Sequence, residues 1–304
     1  MSQGNKHLIV LTGPTASGKT ALSIEIATDL GCEIISADSR QIYIETSIGT
    51  AKPSVEELSK AKHHLINAIS VNTPYNAGRF ATDATQILNK LFENHDHVIV
   101  CGGSGLYIDA LTKGMDEMPE ADPEIREKLT RVLQESGIGA LQRELQEKDR
   151  DMFESIDICN PQRLIRALEV IRSTGRTYTS FRKKHTKGNG YLIHKICLDI
   201  PREDLYRRIN QRVMLMIENG LENEARGLYP LRHLNALQTV GYKEFFDYFE
   251  QKADIGQTIE KICQHTRNYA KRQITWFRRD PELHWMAPDR NSIMNFLKNQ
   301  IYAA

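Results

Sequence analysis

Residues 8–20 read Leu8-Ile9-Val10-Leu11-Thr12-Gly13-Pro14-Thr15-Ala16-Ser17-Gly18-Lys19-Thr20. An apolar run of strand length leads into Gly-x-x-x-x-Gly-Lys-Thr, and a helix-like run from Ala21 to Leu30 follows. Each part of that pattern has a chemical reason. Glycines let the backbone turn tightly with no Cβ in the way. The turned amides and the next helix N-terminus form a concave anion site. Lys19 adds a mobile positive charge for an outer phosphate, and the Thr20 hydroxyl is placed to hold Mg2+. The segment 13–20 therefore predicts a di- or triphosphate site on a parallel α/β sheet.

Composition sets the outer limits. The chain has 304 residues and a formal net charge of +1, so any nucleic-acid surface must be local. Five cysteines, Cys32, Cys101, Cys159, Cys197 and Cys263, stand singly with no C-x-x-C spacing. That argues against a disulfide framework and fits a reduced, cytoplasmic compartment. No apolar run reaches membrane-spanning length and no signal peptide is expected.

Outward from the phosphate loop, Gly31 closes the first helix and Cys32–Ala37 reads as a second strand. It ends at Asp38-Ser39-Arg40-Gln41. Carboxyl ends of parallel strands line the ligand crevice, which puts Asp38 near the loop. A turn carboxylate is the other reading of Asp38, and position alone leaves both open. A short helix is expected over 54–61. His63-His64 has no third ligand at metal spacing and reads as polar residues before a short buried element. An amphipathic helix spans 75–92, with Ala77, Phe80, Ala84, Ile87, Leu88 and Leu91 on one side. A third strand, Val98–Cys101, runs into Gly102-Gly103-Ser104-Gly105, glycines that a close backbone approach to a ligand would need.

From 115 to 190 the strand pattern is replaced by helices at 123–135, 138–150 and 161–173. Asp122-Pro123-Glu124 starts the first and Gly175 ends the last. A strand returns at 192–200. Helices follow at 203–219, with Arg202, Arg207, Arg208 and Arg212 on an exposed-looking face, and at 221–229, 243–251 and 254–277. The expected division is an α/β core with C-terminal helices, 1–114 and 191–304, carrying a helical insertion at 115–190. Two stretches, Arg176–Lys187 and Arg267–Arg279, mix lysine and arginine with aromatics and contain no acid. Cations track phosphates and aromatic faces stack unpaired bases, which favours RNA over a merely solvated helix face.

The strand 98–101 ends without a Walker-B acid and no N-K-x-D occurs, which weakens motor and GTPase readings. The blocks GPTASGKT (13–20), ADSRQIY (37–43), GTAKP (49–53), GGSGLY (102–107), PQRLIRALEV (161–170), VGYKEF (240–245) and TRNYAKRQITWFR (266–278) together resemble the bacterial tRNA dimethylallyltransferase (IPP transferase) family. The resemblance covers nearly the whole chain in order. It implies a P-loop NTPase-like core, Mg2+, and transfer of a dimethylallyl group from dimethylallyl diphosphate to N6 of the adenosine at position 37, 3′ to the anticodon of tRNA.

Residue by residue, the resemblance implies that Gly13, Pro14, Thr15, Ala16, Ser17, Gly18, Lys19 and Thr20 hold a diphosphate rather than ATP. It makes Thr20 the metal ligand, Arg212 a second clamp on the diphosphate, and Asp38 the general base. It assigns tRNA contacts to Asp38, Ser39, Arg40, Gln41, Ser104, Arg126, Gln162, Arg163, Leu164, Ile165, Arg166, Gly241, Tyr242 and Lys243, the partner being the anticodon stem-loop. Family members usually carry threonine where Ser104 stands, so a hydroxyl is kept. A monomer is the expected state. Two rivals stay open on sequence: a P-loop kinase acting on a nucleoside or small metabolite with ATP, and a non-catalytic RNA-binding protein.

Overall fold

A computed structural model describes residues 6–116, 118–120, 122–182 and 190–302. Strand β1 (His7–Thr12) is followed by the phosphate loop and helix α1 (Lys19–Leu30). Gly31, at φ 59°, adopts the left-handed cap that only glycine takes freely and sends its N–H to the last turn of α1. Then come β2 (Ile34–Ser36), α2 (Val55–Lys60), β3 (His63–His64), α3 (Ala77–Leu91), β4 (His97–Gly102) and α4 (Gly105–Lys113). The chain continues through α5 (Pro123–Ser136), α6 (Ile138–Lys148), α7 (Arg150–Ser155) and α8 (Pro161–Thr174). It ends with β5 (Leu192–Leu198), α9 (Arg202–Glu218), α10 (Leu221–Leu228), α11 (Tyr242–Phe249), α12 (Ile255–Phe277), β6 (His284–Met286) and α13 (Arg290–Tyr302).

The strands of the described residues form one parallel sheet of order β3-β2-β4-β1-β5-β6. β1 is central, and successive side chains leave it on opposite faces. Leu8 and Val10 enter one core with Phe80, Leu88 and Val100. Ile9 and Leu11 enter the other with Leu22, Ile26, Ile293 and Leu297. All of these are at most 5 % exposed, as expected for strands covered on both sides. Among the described residues no helix is long and apolar enough to cross a membrane.

The chain divides into two compact units, residues 1–112 with 188–304, and residues 113–187. The second unit has its own core, in which Leu129, Leu141, Leu145, Leu164, Ile165 and Leu168 are at most 1 % exposed.

Several expectations change. The helix expected over 138–150 breaks at Asp149, whose carboxylate accepts from Met152 N at 3.1 Å and so starts α7. The same carboxylate accepts from Thr179 N at 2.8 Å and Thr179 Oγ1 at 2.7 Å. His63 and His64 are themselves the edge strand β3, and the following Leu65 and Ile66 are half-buried rather than a buried element. His64 Nε2 bonds Glu33 Oε2 at 2.6 Å, and no metal-binding cluster occurs among the described residues. All five cysteines are free thiols. Sequence periodicity missed β6 and α13. Residues 183–189 of the first basic stretch lie outside the described residues.

Gly102, at the end of β4, and Gly103 and Gly105, just after it, leave no room for a side chain. A Cβ on Gly102 would sit 2.2 Å from the Ala37 carbonyl oxygen. On Gly103 it would lie 2.3 Å from Gln273 Nε2, and on Gly105 2.3 Å from the Trp276 ring. Protein fills the space that a side chain would need there, and Gly102 and Gly103 also line the cavity at the strand ends. The neighbour of Gly102 is backbone and cannot swing away. Gly102→Ala is therefore expected to destabilise the protein by about 2–3 kcal/mol, read as a lowered urea midpoint with unchanged slope.

Candidate active site

The carboxyl ends of β1, β2 and β4 open into a cavity of about 650 Å³ within the first unit. At one end lie Thr15, Lys19 and Thr20 of the phosphate loop, with Arg212 from α9. Asp38, Ser39, Arg40 and Gln41, after β2, form a wall beside them. The rest of the lining includes Gly241 and Lys243 near the start of α11 and His265, Tyr269 and Arg272 from α12, with Tyr269 close to Ser104 and Asp38.

The loop turns through left-handed backbone at Ala16 (φ 64°) and Gly18 (φ 89°). Ser17 is fully buried, and Lys19 Nζ lies over the loop, donating to the Pro14 carbonyl at 2.7 Å and to Ser17 Oγ at 3.4 Å. Burial pulls the Lys19 ammonium down to about 8. Cys101 opposes that shift, the like charge of Arg212 adds to it, and Asp38 and Cys197 oppose it. Burial also lowers Arg212, against the pull of Asp38. Two cations and one carboxylate thus face the same space.

Arg212 was expected on the exposed face of its helix with Arg202, Arg207 and Arg208. Those three are exposed, but Arg212 lies one turn from buried Ile209 and beside Val213 and turns inward. Its Nη1 donates to Thr15 Oγ1 at 3.4 Å.

Asp38 satisfies both of its sequence readings. Its Oδ1 accepts from Arg40 N at 2.9 Å and Gln41 N at 3.3 Å, an Asx turn, while the carboxylate lines the cavity. Ser104 Oγ accepts from Ser39 N at 3.0 Å and pins the same turn to the start of α4. Arg40 Nη1 is held by the Asn235 and Ala236 carbonyls, both at 3.0 Å. Gln41 Nε2 donates to the Thr50 and Ala51 carbonyls, both at 3.1 Å.

Two anchoring residues escaped the sequence reading. Gln273 accepts from Thr15 N at 2.8 Å and donates to the Gly103 carbonyl at 2.9 Å, tying the phosphate loop to the second glycine turn. Its only sequence signal is a polar residue on the buried stripe of α12, with Ile262, Ala270 and Phe277. Glu224 accepts from the amides of Ser47, Ile48 and Gly49, each at 2.9 Å, and from Tyr242 Oη at 2.6 Å. No local pattern marks it.

Some predicted RNA contacts cannot reach solvent. Tyr242 is 0 % exposed and packs against Gly49, so its ring belongs to the fold. Leu164 and Ile165 are 0 % and 1 % exposed in the core of the second unit. Phe277, one of the aromatics of the second basic stretch, is 2 % exposed and also core. Gln162 and Arg163 on α8 are exposed, and Arg126 and Arg166 are partly so.

Comparison with known proteins supplies the family. A profile described as IPP transferase matches residues 41–280. The chain belongs to the IPP transferase family. A tRNA dimethylallyltransferase of Christiangramia forsetii is 48 % identical over 299 residues, covering 98 % of this chain and 99 % of that one. The enzyme of the same description from Cytophaga hutchinsonii is 45 % identical over 288 residues, covering 95 % of each. The crystal structure of a full-length tRNA isopentenylpyrophosphate transferase from Bacillus halodurans superposes with TM-score 0.73 at 33 % identity, covering 98 % of this chain and 97 % of that one. A eukaryotic dimethylallyltransferase, solved acting on tRNA, gives TM-score 0.78 at 25 % identity over 94 % of this chain and 75 % of its own. Members share the P-loop NTPase-like core, and this chain is an IPP-transferase-family enzyme.

The buried lysine makes stability respond to pH in a definite direction. Folded Lys19 releases its proton near pH 8, whereas in the unfolded chain it holds it to about 10.5. Between those values the unfolded chain binds the extra proton, so this residue's contribution to stability rises with pH. Lys19→Met, which keeps the bulk without the charge, should exceed wild type in stability at pH 7.5, and the gap should narrow by pH 9.5. Urea melts of both proteins at the two pH values check this.

Proposed function

We propose that this chain transfers the dimethylallyl group of dimethylallyl diphosphate to N6 of the adenosine at position 37 of tRNA, next to the anticodon, and releases diphosphate. The observation that carries this is the single cavity in which Asp38 faces the phosphate loop and Arg212. A kinase can also place a carboxylate base across from its phosphate loop, so family membership is what favours prenyl transfer over phosphoryl transfer at this loop. A carboxylate opposite it gives an amine nucleophile somewhere to leave its proton.

In the proposed step, N6 attacks C1 of the prenyl group. The C1–O bond breaks, its electron pair leaves on the diphosphate oxygen, and a C1–N6 bond forms. The N6 proton passes to Asp38. Lys19, Arg212 and the loop amides from Gly13 to Thr20 offset the charge that grows on the departing oxygen. Magnesium is the ion we assign to this site, and when bound it supplies further positive charge for the leaving diphosphate. Thr20 is its protein ligand: the residue lines the cavity, and its hydroxyl has no hydrogen-bond partner among the described residues. A hydroxyl completed by phosphate oxygens and water is a hard donor set suited to Mg2+.

The adenine must leave its stack to enter the cavity, a small cost in a single-stranded anticodon loop. Ser39, Arg40, Gln41, Gly241 and Lys243 line the cavity, and Ser104 braces the Asp38 turn, so we assign them to the flipped nucleotide and its neighbours. Arg126, Gln162, Arg163 and Arg166 of the helical unit are proposed to meet the stem-loop backbone. We drop Leu164, Ile165 and Tyr242 as side-chain contacts because they are buried. A monomer is the state we propose, and the substrate puts the enzyme with its tRNA in the cytoplasm.

Incubation with unmodified tRNA, Mg2+ and labelled dimethylallyl diphosphate, followed by digestion to nucleosides, tests this. The expected product is labelled N6-prenylated adenosine, one per diphosphate released, with added ATP untouched. ATP consumption with no label in RNA would overturn the reading in favour of a kinase. Binding of tRNA with neither reaction would leave an RNA-binding protein.

A further inference from the structure

The helical unit buries two carboxylates, Asp149, which caps α7 and holds Thr179, and Glu169, for which the proposed chemistry has no use. Glu169, on α8, is 0 % exposed. Its Oε2 accepts from Arg126 Nη1 of α5 at 3.0 Å and from Arg166 Nη1 of its own helix at 3.1 Å. Each arginine is fixed a second time. Arg126 Nη2 donates to Gln162 Oε1 at 3.1 Å, and Arg166 Nη2 donates to the Pro119 carbonyl at 2.6 Å. The side chains of Arg126 and Arg166 are 41 % and 29 % exposed, while that of Glu169 is fully buried. Glu169 Oε1 has no hydrogen-bond partner among the described residues.

A buried carboxylate is a poor choice for stability alone. Its desolvation offsets much of what the ion pairs return, and an unpartnered oxygen adds to the cost. What the arrangement does provide is order. Two flexible side chains of like charge are held side by side by one anion, with a net charge of +1 for the trio. Planar guanidiniums fixed in this way keep outward N–H groups that match the oxygens of a phosphate.

We infer that Glu169 is a positioning residue that sets Arg126 and Arg166 as a two-guanidinium clamp for one backbone phosphate of the RNA. This rests on the reading of the chain as a tRNA-modifying enzyme. It goes further by naming the ligand group as a phosphate, read without regard to base, and by giving Glu169 a task.

Charge and geometry predict opposite signs for one substitution. Glu169→Gln removes a negative charge near the RNA, so electrostatics alone predicts tighter binding. Loss of the anchor predicts weaker binding, because the two cations repel and swing apart. Anisotropy titrations of the full-length enzyme with a labelled anticodon stem-loop, at several salt concentrations, decide between them. We expect Kd to rise about tenfold and the salt slope to become shallower by about one ion, with the loss falling on KM for tRNA rather than on kcat. Arg126→Lys, which keeps the charge and loses the planar fork, should show a similar loss.

Unchanged or tighter binding by Glu169→Gln, with a cooperative melt, overturns the clamp. If Glu169→Gln does not melt cooperatively, Arg126→Lys decides alone, and its binding like wild type overturns the clamp. A wild-type enzyme that fails to bind the RNA overturns the underlying function and the clamp with it. A wild type that binds alongside an unaffected variant overturns only the clamp.

Discussion

Parallel pairing of β1 with β4 is the contact on which the site depends. Thr12 stands opposite Gly102 in that register, and Thr12 Oγ1 donates to the Gly102 carbonyl at 2.8 Å. The phosphate loop leaves one strand where the second glycine turn leaves the other. β2 pairs on the far side of β4, with Ser36 opposite Cys101, so Asp38 emerges at the same edge. A slip of one residue would turn Thr12 to the other face of the sheet and carry the loop away from Asp38. Gly102 has no Cβ because the Ala37 carbonyl occupies that place. The steric constraint and the geometry of the cavity are therefore one feature: the close approach of β2 to β4 brings the Asp38 carboxylate to the crevice.

The crevice is then braced from distant parts of the chain. Gln273 joins the two glycine turns, and Glu224 gathers three successive amides of the loop at 47–49. A carboxylate that accepts several backbone N–H groups satisfies donors no regular element would use. Lys52 holds the same segment by donating to the Tyr43 carbonyl and to Asn67 Oδ1. The wall that carries Gln41 and Thr50 is thus fixed without secondary structure.

What the sequence disclosed follows from how local each signal is. The phosphate loop was legible because anion chemistry fixes residue types at fixed spacing, and Gly31 and Gly175 because a left-handed cap has one favoured residue. Asp38 was legible as a candidate only, since a turn carboxylate and a catalytic one look alike, and here it is a turn carboxylate that also faces the cavity. Gln273 and Glu224 were invisible because their partners lie 258 and up to 177 residues away. The split between α6 and α7 was missed although Asp149 is a good helix-capping residue, because the charged pattern runs through it. Tyr242, Leu164 and Ile165 sat in motif blocks without touching solvent: a motif marks residues the fold needs as readily as residues the substrate meets. Arg212 has two sequence readings, on an exposed-looking helix face by pattern and on the diphosphate by resemblance; it turns inward, three residues from buried Ile209.

The central claim is that Asp38 takes the proton from the attacking amine. Asparagine at this position can keep the Asx turn, since its Oδ1 can accept from the amides of Arg40 and Gln41 as the carboxylate does. The single-turnover rate of prenyl transfer by Asp38→Asn, with tRNA and dimethylallyl diphosphate both saturating, isolates the proton transfer from folding and binding. The account predicts a rate at least about 100-fold below wild type with tRNA affinity retained. A rate equal to wild type would contradict it.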